Sequence, residues 1–66
     1  MADMQIFAVY KDNSDRYISA WRNYSDAYAA AGEIQAMDPE ATYSVHTIEE
    51  EEFSDFWFHN LHLTLV

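Results

Sequence analysis

Between Ser25 and Pro39 small apolar residues recur at helical spacing, and this segment limits what the rest of the chain can build. Ala27, Ala30, Ala31 and Ile34 stand at i, i+3, i+4 and i+7, which is one stripe of an α-helix. Ser25 suits an N-cap, and Asp26 would face the positive end of the helix macrodipole. The residue before Pro39 is pushed out of helical space, so the pattern predicts a helix over about residues 25–37. Its alanines let it lie close against whatever it covers. Gly32 falls away from the stripe and weakens the helix by about 1 kcal/mol relative to alanine. One helix with one apolar stripe needs a second layer to bury it.

The flanking sequence offers strands for that layer. Met4–Lys11 (MQIFAVYK) is β-branched and aromatic without a breaker. Asp12–Asp15 (DNSD) is a turn cluster, because these side chains bond the local backbone. Arg16–Arg22 reads as a second strand, and the short connection predicts an antiparallel hairpin. Thr42–Ile48 is a third strand. In the last segment Leu61, Leu63 and Leu65 alternate with Asn60, His62 and Thr64, so a fourth strand is expected from about Trp57.

Glu49–Asp55 reads two ways. As a helix it places Phe53, Phe56 and Trp57 on one stripe, with Glu51 and Asp55 opposite. As a strand it mixes acids and rings on both faces. A turn, or a short helical turn near residues 50–55, followed by strand is the reading adopted. The expected fold is therefore a single α+β domain over residues 1–66, with a four-stranded antiparallel sheet in ββαββ order and one helix on one face. The other face would be bare. With Ile18 and Ala20 toward the helix, alternation sends Tyr17, Ser19 and Trp21 to that bare face, with Tyr10 beside them. Tyr10, Tyr17 and Trp21 thus form a possible homodimer face, since interfaces are enriched in such rings.

Composition narrows the function. A chain of 66 residues without cysteine cannot use disulfides, a thiolate nucleophile or a Cys-type zinc site. Half the residues are hydrophobic, too many for a disordered acidic tail. No apolar run reaches the roughly 18 residues of a membrane span, and the acidic N-terminal stretch does not read as a signal peptide.

Net charge is −9, from 12 acids and 3 bases. The bases Lys11, Arg16 and Arg22 all precede residue 33, whereas Glu33, Asp38, Glu40, Glu49, Glu50, Glu51, Glu52 and Asp55 follow with no base among them. Such a field repels nucleic acid and anionic membrane and attracts basic surfaces. It argues against the tyrosines as a stacking platform for single-stranded nucleic acid, which needs a positive groove.

Glu49–Glu52 and Asp55, with Phe56 and Trp57 adjoining, are the candidate partner-binding residues: charge to steer, rings to hold. In the strongest form the carboxylates stand in for DNA phosphates. The plainer alternative is a solvated acidic loop that guards a strand edge. His59 and His62 lack a third ligand at useful spacing, and His46 stands alone, so no metal or cofactor is expected. No Gly-rich phosphate loop or Ser-His-Asp spacing is present, so no catalytic residues are assigned and an enzyme is not expected.

In size, acidity and open-sheet pattern, and in the stretch IEEEEFSDFWF (Ile48–Phe58), the chain resembles the small acidic inhibitor proteins of bacteriophages. These include DNA mimics, anti-restriction and anti-CRISPR proteins, and host-polymerase inhibitors. The resemblance is one of class and assigns no family residue to a position here. It implies a protein in the host bacterial cytoplasm that binds the basic surface of a nucleic-acid-handling enzyme or defence complex and blocks it.

Overall fold

The computed structural model describes residues 4–66. The hairpin forms as the sequence requires. β1 (Gln5–Lys11) and β2 (Tyr17–Trp21) pair antiparallel around a turn in which Asn13 is left-handed at φ 67°, a conformation asparagine tolerates better than most residues. Helix α1 (Tyr24–Met37) follows, with Ser25 inside its first turn and Asn23 at the N-cap position. β3 (Tyr43–Glu49) then returns along the other side of β1. The Gln35 side chain holds the connection: Nε2 donates to the carbonyls of Asp38 and Ala41, and Oε1 accepts the Tyr43 amide at 3.0 Å.

The four-stranded ββαββ sheet does not form. The sheet has three antiparallel strands in the order β2-β1-β3. After β3 the chain makes a 3-10 turn over Glu50–Glu52 and a second helix, α2 (Phe53–His59). Trp57, expected to open a fourth strand, lies within α2. The cause is the position of the rings. On a helix Phe53, Phe56 and Trp57 reach one apolar stripe, whereas an extended chain would turn some of them to water. Beyond α2 the chain forms no further strand among the described residues, only an isolated parallel bridge of Leu65 to Ala20. Leu63 and Leu65 pack inward, but Leu61 is 81% exposed.

The sheet is therefore covered on both faces. On one face α1 lies close, with Ala27 fully buried and the Tyr24 ring edge-on to Phe7 at 5.6 Å. Ala30, Ala31 and Ile34 of the predicted stripe are half-buried. On the other face Ile6, Ala8, Ala20, Ile48 and Phe56 form a core, backed by Phe53, Trp57 and Leu63.

A bulge in β2 decides which residues reach which layer. Val9 pairs with Ser19 but Tyr10 pairs with Tyr17, so Ile18 is the extra residue. Past it the alternation is reset. Tyr17 joins Ala20 on the α2 face, while Ser19 and Trp21 pair with Val9 and Phe7 on the α1 face.

Candidate functional site

The glutamate run is partly architecture. The Glu49 side chain accepts the Glu52 backbone amide, and Glu52 Oε1 accepts the Glu49 amide at 3.1 Å. This reciprocal capping box starts the turn that leads into α2. Glu49 Oε2 also accepts Gln5 Nε2 at 2.8 Å, and Glu50 Oε1 accepts the Met4 amide at 3.3 Å. Glu51 bonds nothing among the described residues, and the Asp55 carboxylate has His59 Nδ1 at 3.6 Å. Glu50, Glu51, Glu52 and Asp55 are all exposed.

The neighbouring rings divide. Phe56 is buried among Ile6, Ala8, Ala20 and Ile48, edge-on to Tyr17 at 5.1 Å and to Trp57 at 5.0 Å. Phe53 and Trp57 are half-buried against the same core. Phe58 is the ring shown to solvent, 73% exposed, three residues beyond Asp55. The surface of acids and rings therefore comprises Glu51, Asp55 and Phe58, with Leu61 exposed just past the helix.

Tyr10, Tyr17 and Trp21 do not share a surface. Tyr10 and Tyr17 lie together at 5.0 Å on the α2 face, while Trp21 sits on the α1 side and donates Nε1–H to Ser19 Oγ at 2.9 Å. Nor is the α2 face bare, because α2 with Leu63 and Leu65 lies across it.

At the end of that face is a polar chain that sequence reading missed, because its members are distant in sequence. Ser44 Oγ donates to Asp12 Oδ1 at 3.1 Å. Its lone pairs then receive His46 Nε2–H at 3.3 Å, which leaves Nδ1 to accept the Tyr17 hydroxyl at 3.0 Å. The Tyr10 ring stacks on His46 at 5.0 Å. Burial raises the Tyr17 pKa above its ordinary value of 10.0, and the nearby Tyr10 and Glu52 add to the shift. Folding thus holds this proton more tightly than the unfolded chain does. The neutral hydroxyl contributes stability below about pH 10, and that contribution is lost as pH rises through the raised folded value. Urea titrations at increasing alkaline pH are expected to show stability falling in that window, and falling less steeply in Tyr17→Phe. Equal slopes would contradict the linkage.

The two edges of the sheet differ. Along β2, Val66 donates its amide to the Ala20 carbonyl and accepts from the Arg22 amide, each at 3.0 Å, and His62 Nε2 reaches the Tyr17 carbonyl at 2.9 Å. Along β3, Asp12 N–H bonds the Thr42 carbonyl, so the even-numbered residues of β3 face β1 and the odd ones face outward. Gln35 covers the outward amide of Tyr43, and Glu52 covers that of Glu49. Among the described residues nothing pairs the outward backbone groups of Val45 and Thr47. Beside this edge a groove of about 270 Å³ runs between β3 and α1, lined by Tyr24, Tyr28, Gly32, Tyr43 and Val45.

Among the described residues no three His, Asp or Glu side chains converge as a metal ion would need, and no helix is long and apolar enough to cross a membrane. Compared with known protein families, curated proteins and solved structures, the chain matches none.

Proposed function

We propose that the protein is a small acidic inhibitor of phage type, which binds the basic surface of a nucleic-acid-handling enzyme or defence complex and blocks it, acting in the bacterial cytoplasm. The observation that supports this reading is the solvent side of the 3-10 turn and α2. There Glu51, Asp55 and Phe58 are exposed and follow one another at i, i+4 and i+7, in a half of the chain that holds no Lys or Arg. Carboxylates that steer and a ring that anchors are the ingredients of fast, specific association with a cationic site. Glu49 and Glu52 contribute charge while they brace the turn that presents the others.

Homodimerisation through an aromatic sheet face is the weaker reading. Self-association would bring together two chains of charge −9, and Tyr10, Tyr17 and Trp21 do not form one bare face.

The test is a pull-down from bacterial lysate at low and high salt, with duplex DNA as competitor. The reading expects a partner that is retained at low salt, released by high salt and displaced by DNA. A partner held equally in all three conditions, or none at low salt, would refute it.

A further inference from the structure

We propose that the open edge of β3, with the groove beside it, is a docking rail for an extended segment of the partner that carries lysine or arginine at its ends and apolar side chains at its centre. This rests on the reading of the protein as a binder of basic surfaces, and adds where and how the partner is held.

Three observations converge on this edge. First, backbone groups are available there. Val45 and Thr47 present their amides and carbonyls outward, and a strand laid alongside would complete a ladder that β1 already forms on the other side. The covered amides of Tyr43 and Glu49 set the length of the opening.

Second, the groove is an apolar receptor at the same place. Alternate side chains of an added strand would point toward α1, where Tyr24, Tyr28, Tyr43 and Val45 line the walls. Gly32 lines it too. A Cβ at Gly32 would meet no atom within 4 Å, so nothing inside this chain needs a glycine there. A glycine inside a helix weakens it relative to alanine. What it leaves is open room at the groove, space that a neighbouring chain can occupy.

Third, charge selects the occupant. One end of β3 runs into Glu49–Glu52, and the other follows Glu40 and Asp38, the latter already 3.9 Å from Lys11 Nζ. A segment on this edge therefore meets the glutamate run at one end, Glu40 beside the Lys11–Asp38 pair at the other, and neutral side chains between. Basic ends with an apolar centre fit. A second copy of this chain does not, because it would set acids against acids.

The probe is a synthetic peptide of about ten residues, with two lysines at each end and alternating threonine and valine or phenylalanine between. Its binding is followed by amide exchange and by titration. Bound peptide is expected to slow exchange at Val45 and Thr47 by roughly tenfold or more, since exchange then needs dissociation. Methylating alternate peptide nitrogens, or replacing the lysines by glutamates, should abolish this. Gly32→Phe fills the groove and should weaken binding by roughly tenfold, about 1.4 kcal/mol. Gly32→Ala controls for the fold and should melt no lower than the parent.

Absence of binding at millimolar peptide overturns the rail. So does binding that leaves both amides unprotected, or that ignores Gly32→Phe. Protection of Val45 and Thr47 that grows with protein concentration alone would assign the edge to a second copy instead, and also overturns it. Polylysine separates the two proposals. If it binds and Glu51→Lys/Asp55→Lys weakens it while the peptide fails, the acidic reading stands and the rail falls. If neither binds, both fall.

Discussion

Phe56→Ala is expected to remove a large share of the folding stability, about 3–5 kcal/mol. Phe56 is buried at the centre of the α2-side core, in contact with residues of β1, β2 and β3. Truncating a buried phenylalanine costs about 3–5 kcal/mol, through lost transfer energy and the cavity left behind. A chain of 66 residues has a total stability on the order of 3–10 kcal/mol. Urea unfolding followed by tryptophan fluorescence measures the loss. Phe58→Ala, two residues away on the solvent side, should change stability by less than about 0.5 kcal/mol. If Phe58→Ala were the more damaging of the two, the inward face of α2 would be misassigned.

The second large effect concerns association with the partner. Glu51→Lys with Asp55→Lys moves the net charge by four, from −9 to about −5, at the surface where steering acts. Neither carboxylate belongs to the capping box, so the turn should remain intact. Glu52→Lys would not separate charge from fold, because Glu52 Oε1 holds the Glu49 amide. For the partner recovered at low salt, the double variant is expected to lose roughly 10- to 100-fold in on-rate, with a shallower salt dependence and a nearly unchanged off-rate. Phe58→Ser should do the reverse, raising the off-rate and leaving the on-rate alone. Surface-based kinetics at several salt concentrations resolve both. An on-rate unaffected by the double reversal would remove steering from the proposal.

Much of the fold was legible where one local rule acts alone. The hairpin followed from β-branched runs around DNSD, and a helix expected over residues 25–37 from its alanine spacing and Pro39 forms over Tyr24–Met37, with Asn23 and not Ser25 at its N-cap position. The fourth strand was misread because two periodicities overlap after Ile48. Leu61, Leu63 and Leu65 alternate as a strand would, but Phe53, Phe56 and Trp57 recur as a helix would, and the larger rings have more to gain from burial. The capping box could have tipped the balance, since Glu49 and Glu52 stand three apart just before those rings.

The assignment of faces failed for a different reason. Alternation counted through Arg16–Arg22 assumes no extra residue, and the bulge at Ile18 is one. Nothing local marks it. It lets Tyr17 reach His46 and Phe56 while Trp21 points to the other side of the sheet. The pairing of Asp12, Ser44, His46 and Tyr17 was likewise invisible, because the contact exists only once β3 lies beside β1.

The unequal edges of the sheet carry a consequence for stoichiometry. An edge-to-edge contact can propagate only through molecules with two free edges, each passing the pattern to the next. Among the described residues His62 and Val66 bond part of the β2 side, whereas Val45 and Thr47 on β3 stay open. A molecule that pairs through β3 alone terminates a growing sheet rather than extending it, so a complex formed this way closes at one strand per protein instead of running on into a fibre.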